Sequence, residues 1–140
     1  MPRLPLLAVL ALALTACDTD GPDLVDLRVD DLSHDAAALV GTWDLVTVTS
    51  SGFGGPPTTY PVAAGTETIT FRTDGTVEIV RADGPDEITT YAVVPAGPAF
   101  PDAPPGLRIG DRSEAWGIDG DRLYFDSRSL DGDLSEYLRR

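Results

Sequence analysis

No lysine occurs in the 140 residues, and there is one cysteine and one histidine. The ten positive side chains are therefore all arginines, set against 23 carboxylates for a formal net charge of −13. A field of that sign repels phosphate backbones and argues against nucleic acid as a partner. It argues equally against electrostatic attachment to anionic lipid. A lone cysteine excludes any intrachain disulfide. The sole histidine, His34, would have to serve any Ser-His-Asp or Cys-His device. It lies beside Asp35 ahead of the first strand, where a solvated linker histidine is the simpler account. A zinc site lacks its usual ligands for the same reason. Asp119-Gly120-Asp121 and Asp131-Gly132-Asp133 do not continue the spaced acidic register of a calcium loop and read as hairpin turns. No spacing among the acids selects a carboxylate pair for glycoside hydrolysis. The expectation is a non-enzyme with no catalytic residue, no metal and no cofactor.

With 42% hydrophobic and 24% charged residues, the chain has the composition of one ordinary globular domain. The start is different. Met1-Pro2-Arg3 and the apolar run Leu4–Leu14 form a segment too short to span a bilayer. Leu14-Thr15-Ala16-Cys17 follows and resembles the lipobox of bacterial lipoproteins. That resemblance implies a signal peptide over residues 1–16, cut before Cys17, with diacylglyceryl and acyl (palmitate-type) chains added at Cys17. Buried acyl chains, at about 0.8 kcal/mol per CH₂, would bind the protein to membrane lipid. Residues 17–33 read as an acylated cysteine and acidic tether, opening Asp18-Thr19-Asp20-Gly21-Pro22-Asp23. Leu24, Val25, Leu27, Val29 and Leu32 are apolar enough for its second half to dock on the domain. A short helix over Asp35–Val40, N-capped by Ser33, is expected next.

The domain, residues 34–140, is β in pattern. Gly41-Thr42-Trp43 opens an alternating strand in which Trp43, Leu45 and Thr47 share one face and Asp44, Val46 and Val48 the other. Ile69 with Phe71, Val77 with Ile79, and Leu123 with Phe125 mark further inward faces. Asp74-Gly75, Asp119-Gly120 and Asp131-Gly132 supply turns. Strands are read over 67–72, 76–81, 87–94, 106–110, 114–118, 121–126 and 134–139, with one more if the apolar residues near Val62 pair. Short hairpins without a crossover helix imply an antiparallel meander. About eight strands in roughly 100 residues fit a small up-and-down barrel, which leaves no exposed edge. A flattened β-sandwich is the alternative. Residues 50–65 and the proline-rich 95–106 break the rhythm, and stiff surface loops at the barrel mouth are expected there.

Leu39-Val40-Gly41-Thr42-Trp43-Asp44-Leu45, the Thr70–Thr76 hairpin and the closing Asp131-Gly132 with Glu136-Tyr137 resemble, in that order and spacing, the bacterial lipocalin-like domains. The resemblance covers Leu39 to the C-terminus. It implies that Trp43 packs across the closed end of a barrel beside an arginine of the last strand, for which Arg139 is the candidate. Trp43, Phe71, Trp116 and Phe125 are the large inward side chains, either filling a core or lining a pocket. The function implied is a lipid-anchored envelope lipoprotein acting as a binding module for a small hydrophobic ligand. A filled barrel binding an envelope protein, as a structural or inhibitory partner, is the other reading. The expected address is the bacterial cell envelope, with the outer membrane preferred to the inner.

Overall fold

The computed structural model describes residues 24, 26–51 and 55–140. Its strands are β1 (Gly41–Ser50), β2 (Thr58–Pro61), β3 (Glu67–Phe71), β4 (Thr76–Arg81), β5 (Glu87–Val94), β6 (Gly106–Ile109), β7 (Arg112–Asp119), β8 (Arg122–Asp126) and β9 (Asp133–Arg139). All pairings are antiparallel between neighbours, and β9 returns to pair with β1. Eight strands thus form a closed barrel, and β2 is an extra strand on the upper half of β1. The expected up-and-down barrel is the observed fold. A sandwich is set aside because the β1–β9 ladder, Trp43↔Arg139 through Ser50↔Asp133, leaves no open border there.

Period-two alternation decides the inside. Ile69, Phe71, Val77, Ile79, Leu107, Ile109, Trp116, Ile118, Leu123, Phe125 and Tyr137 all face one another in a single buried cluster with Trp43 and Leu39. Strand β1 departs from the expected alternation. A bulge between Leu45 and Thr47 shifts its register against β9, so Thr47 pairs with Glu136 and Thr49 with Leu134, on the outer face. Val48 opposite Ser135 points inward instead. Thr47 and Val48 are therefore exchanged relative to the simple reading, because one extra residue reverses every side chain after it.

One end of the barrel is sealed. Helix α1 (Ala36–Leu39) tucks fully buried Leu39 beneath the strands, capped by Asp35, whose carboxylate accepts from Ala37 N at 3.0 Å. Ser33 is not the cap. Its backbone forms a two-bond bridge with Ile118. The proline-rich loop, expected at the mouth, joins the sealed ends of β5 and β6, while β2 and residues 62–66 lie at the open end.

Residues 26–33, in the stretch read as a tether, lie along the outer wall as a strap. Val29 is buried with Tyr124 and Leu134, which point outward from β8 and β9, and Leu24, Leu27 and Leu32 pack around them. Gly117 makes room. A Cβ there would stand 2.7 Å from Leu32 Cβ and 2.8 Å from the Val29 carbonyl oxygen. Arg128 fastens the strap at the open end, donating to the Leu24 and Leu27 carbonyls while pairing with Asp126. The strap thus runs from the mouth down to the sealed end.

Candidate ligand-binding site

The four aromatics singled out in the sequence do not converge on one site. Trp43 is fully buried at the sealed end, donating its indole N–H to the Leu39 carbonyl at 2.8 Å. The Arg139 guanidinium lies 4.1 Å from its ring centroid. It also donates to the carbonyls of Val40 at 3.0 Å and Ala38 at 2.6 Å. The expected Trp43–Arg139 pair is therefore present, and it explains the glycine of Gly-x-Trp. Gly41 has φ +139°, and a Cβ on it would lie 2.8 Å from Arg139 Nη1. Phe71 is core, edge-on to Tyr91 with centroids 4.9 Å apart. Trp116 closes the wall near the sealed end, donating to the Pro105 carbonyl at 3.0 Å.

Only Phe125 of the four lines the inner cavity. That cavity, about 180 Å³, lies at the mouth end. Its floor is apolar where Ile69 and Ile79 lie one inward position below Glu67 and Arg81. Ile109 and Phe125, with Arg112, Glu114, Ser127, Ser135 and Tyr137, complete its wall. Sequence reasoning missed these polar groups, although the signal was present: Glu67 is in phase with Ile69, and Arg81 with Ile79. Charged residues at the last inward position of a strand mark where an interior meets water.

The polar groups are ordered by one another. Glu67 accepts from Tyr137 Oη at 2.6 Å through one oxygen and from Arg81 Nε at 2.7 Å through the other. Arg81 reaches on to Glu87 at 3.5 Å, and Arg112 approaches Glu87 at 3.8 Å. Burial, then the neighbouring Glu67 carboxylate, raises the Tyr137 phenol well above its ordinary value, so it remains a donor at any physiological pH. Glu114 accepts only a long 3.4 Å bond from Ser127. Glu67 is thus locked, whereas Glu114 and the outer N–H groups of Arg112 keep bonding capacity for a guest.

A second hollow of about 350 Å³ lies on the outer wall between the strap, the proline-rich loop and β7, lined by Asp30, His34, Pro104, Pro105, Ser113 and Trp116 among others. His34 is not a solvated linker residue. It folds back edge-on against Trp116, centroids 5.3 Å apart, and its Nε2 is buried without a hydrogen-bond partner. No hydrogen bond ties it to Ser113 or Glu114, which share the hollow, and its ring contact with Trp116 is packing. Among the described residues, no three His, Cys, Asp or Glu side chains are grouped to hold a metal. Cys17, the expected lipidation site, lies outside the described residues. No helix among them is long and apolar enough to cross a membrane.

No family model matches the chain, and no curated protein sequence matches it.

Proposed function

We propose that this protein is a lipocalin-like lipoprotein of the bacterial envelope, anchored through acylated Cys17, whose barrel is a non-catalytic binding module for a small, largely apolar molecule. The observation that carries the ligand reading is the mouth cavity, with Ile69 and Ile79 below, Ile109 and Phe125 in its wall and an ordered set of polar groups among them. An apolar guest group would displace water from the floor at roughly 25 cal/mol per Å² of buried surface. Its head would donate to Glu114 and accept from Arg112. The guest is therefore an amphiphile with a small polar head. At about 180 Å³ the cavity falls below the roughly 300–1,000 Å³ of pockets that enclose a drug-sized ligand. A longer guest would extend out of the mouth.

Native mass spectrometry of the protein purified from its own envelope tests this. The expected result is a non-covalent adduct that is lost in Phe125→Trp, which fills the cavity. A clean apo mass would refute it. Cys17→Ala is expected to release the protein from membranes, and unchanged fractionation would defeat the anchor.

A second reading, binding of an envelope protein, is favoured by Val80 and Ile88. They are diagonal neighbours on the outer face of β4 and β5, and Ile88 is 69% exposed. An apo mass together with co-purification of a stoichiometric partner, lost in Ile88→Glu, would select it.

A further inference from the structure

We infer that the rim on the β1–β2 side of the mouth is a membrane-contact surface, holding the cavity open toward a zwitterionic lipid surface. The inference rests on the reading that Cys17 is the anchor, and adds to it an orientation. Three features lie at this end of the barrel.

The first is where the described chain begins. Leu24 and Leu27 give their carbonyls to Arg128, in the 3-10 turn Arg128–Leu130 at the open end. Residues 17–23, fully extended, reach at most about 25 Å. An anchor at Cys17 therefore holds the mouth within that distance of the bilayer. Had the strap run the other way, the same anchor would have held the sealed end within it.

The second is a flap. β1 pairs with β3 only up to Asp44↔Thr68, and above that with β2, Thr47↔Pro61 through Ser50↔Thr58. β2 and the end of β1 thus stand beyond the end of β3, backed on the other side by β9, where Ser50 pairs with Asp133. That pairing places this flap at the same end of the barrel as the Arg128–Leu130 turn, with β1 between β2 and β9.

The third is charge. Residues 45–66 contain no Asp, Glu, Lys or Arg, in a chain of net charge −13. All four residues of β2 are exposed, Tyr60 by 53%, and Leu130, at the same end of the barrel, by 82%. Tyr60 has the apolar body and polar tip that suit a membrane interface. Elsewhere the rim carries exposed Asp83, Asp86 and Asp111, which an anionic lipid surface would repel. Asp131 and Asp133, close to the flap, limit the contact further to lipids without net charge.

Hydrogen–deuterium exchange on the full protein, purified with its natural N-terminus and incorporated into phosphatidylcholine vesicles, tests the orientation. Amides of residues 55–61 should exchange several-fold more slowly on vesicles than in detergent-free solution, while those of the sealed-end loop 95–103 are unchanged. Phosphatidylglycerol in the vesicles should reduce the protection. Tyr60→Glu with Leu130→Glu, both at exposed positions, should abolish it while leaving the protein on the vesicles. Equal protection at both ends, protection of the sealed end alone, or indifference to the double substitution would overturn the inference. Intact mass separates this from the anchoring question. If Cys17 carries no acyl chain, it is coupled through maleimide to a phosphatidylethanolamine in the same vesicles. The exchange pattern then decides orientation alone.

Discussion

Arg139→Met removes the guanidinium that closes the barrel while keeping an apolar stem of similar length. Three contributions are lost. The cation–π contact with Trp43 is worth about 0.5–1 kcal/mol at a partly exposed site. The hydrogen bonds to the Ala38 and Val40 carbonyls would each be worth about 1.5–3 kcal/mol if fully buried. The Arg139 side chain is 30% exposed, so water replaces part of those bonds. The 3.8 Å contact with exposed Asp121 adds nothing measurable. The expected net loss is about 2–4 kcal/mol, or roughly 10–20 °C in Tm for a domain of this size. Urea unfolding followed by tryptophan fluorescence measures it, since Trp43 reports on the contact itself. Arg139→Lys keeps the charge without the planar fork and should fall between wild type and Met. Gly41→Ala should cost about 1–3 kcal/mol, and less in an Arg139→Met background, because the steric half of its cost disappears with Nη1. Arg139→Met within about 0.5 kcal/mol of wild type, or additive Gly41 and Arg139 effects, would refute the account of the sealed end.

Gly117→Ala should push the strap off the wall. The Val29 carbonyl is backbone and cannot rotate away, so a loss of about 1–3 kcal/mol is expected, with faster proteolysis near residues 24–32 and a barrel that still folds. Unchanged protease resistance would show that the strap yields without cost. Acid should loosen the same strap. Burial raises the Asp126 pKa, but the hydrogen bonds and charge of Arg128 outweigh it and hold the carboxyl below its ordinary value. Its folded pKa is depressed, so the stabilisation is present above the unfolded value near 4 and lost as pH falls through the lower folded value. Protection of the amides in residues 26–33, relative to their intrinsic exchange rates at each pH, should therefore fall below about pH 4, and Asp126→Asn should be loosened already at neutral pH. A strap equally protected at pH 3 and pH 7 would refute the Asp126–Arg128 clamp.

The inside of this barrel could be read from local pattern. A strand's period of two is a property of the backbone, so Ile69, Phe71, Val77, Ile79, Leu123 and Phe125 were assigned inward from the sequence, and each is inward. Asp74-Gly75 and Asp119-Gly120 turn the chain because Gly75 and Gly120 adopt positive φ, 84° and 56°. At Asp131-Gly132 the left-handed residue is Asp131, φ 58°, while Gly132 is needed because a Cβ would meet Ser127. Closure of the meander spares a costly uncovered edge, but the choice of barrel over sandwich rests on the β1–β9 ladder, between the two ends of the domain.

Other features depend on partners distant in the chain. The β1 bulge satisfies three neighbouring strands at once, and nothing in residues 41–50 announces it. Outward Tyr124 and Leu134 look like surface residues until the strap, about a hundred positions earlier, covers them. Trp43, Phe71 and Trp116 are large and inward, which is all that hydrophobicity can say. Whether such a side chain plugs an end, fills a centre or lines a space is set by the stagger of strands around the barrel. The sequence by itself determined most of the strands and their inward faces, because those follow from backbone geometry and nearest neighbours. Only the tertiary structure decided that the cavity lies at the mouth, among charged side chains, because the void is what remains after strands from all parts of the chain have packed.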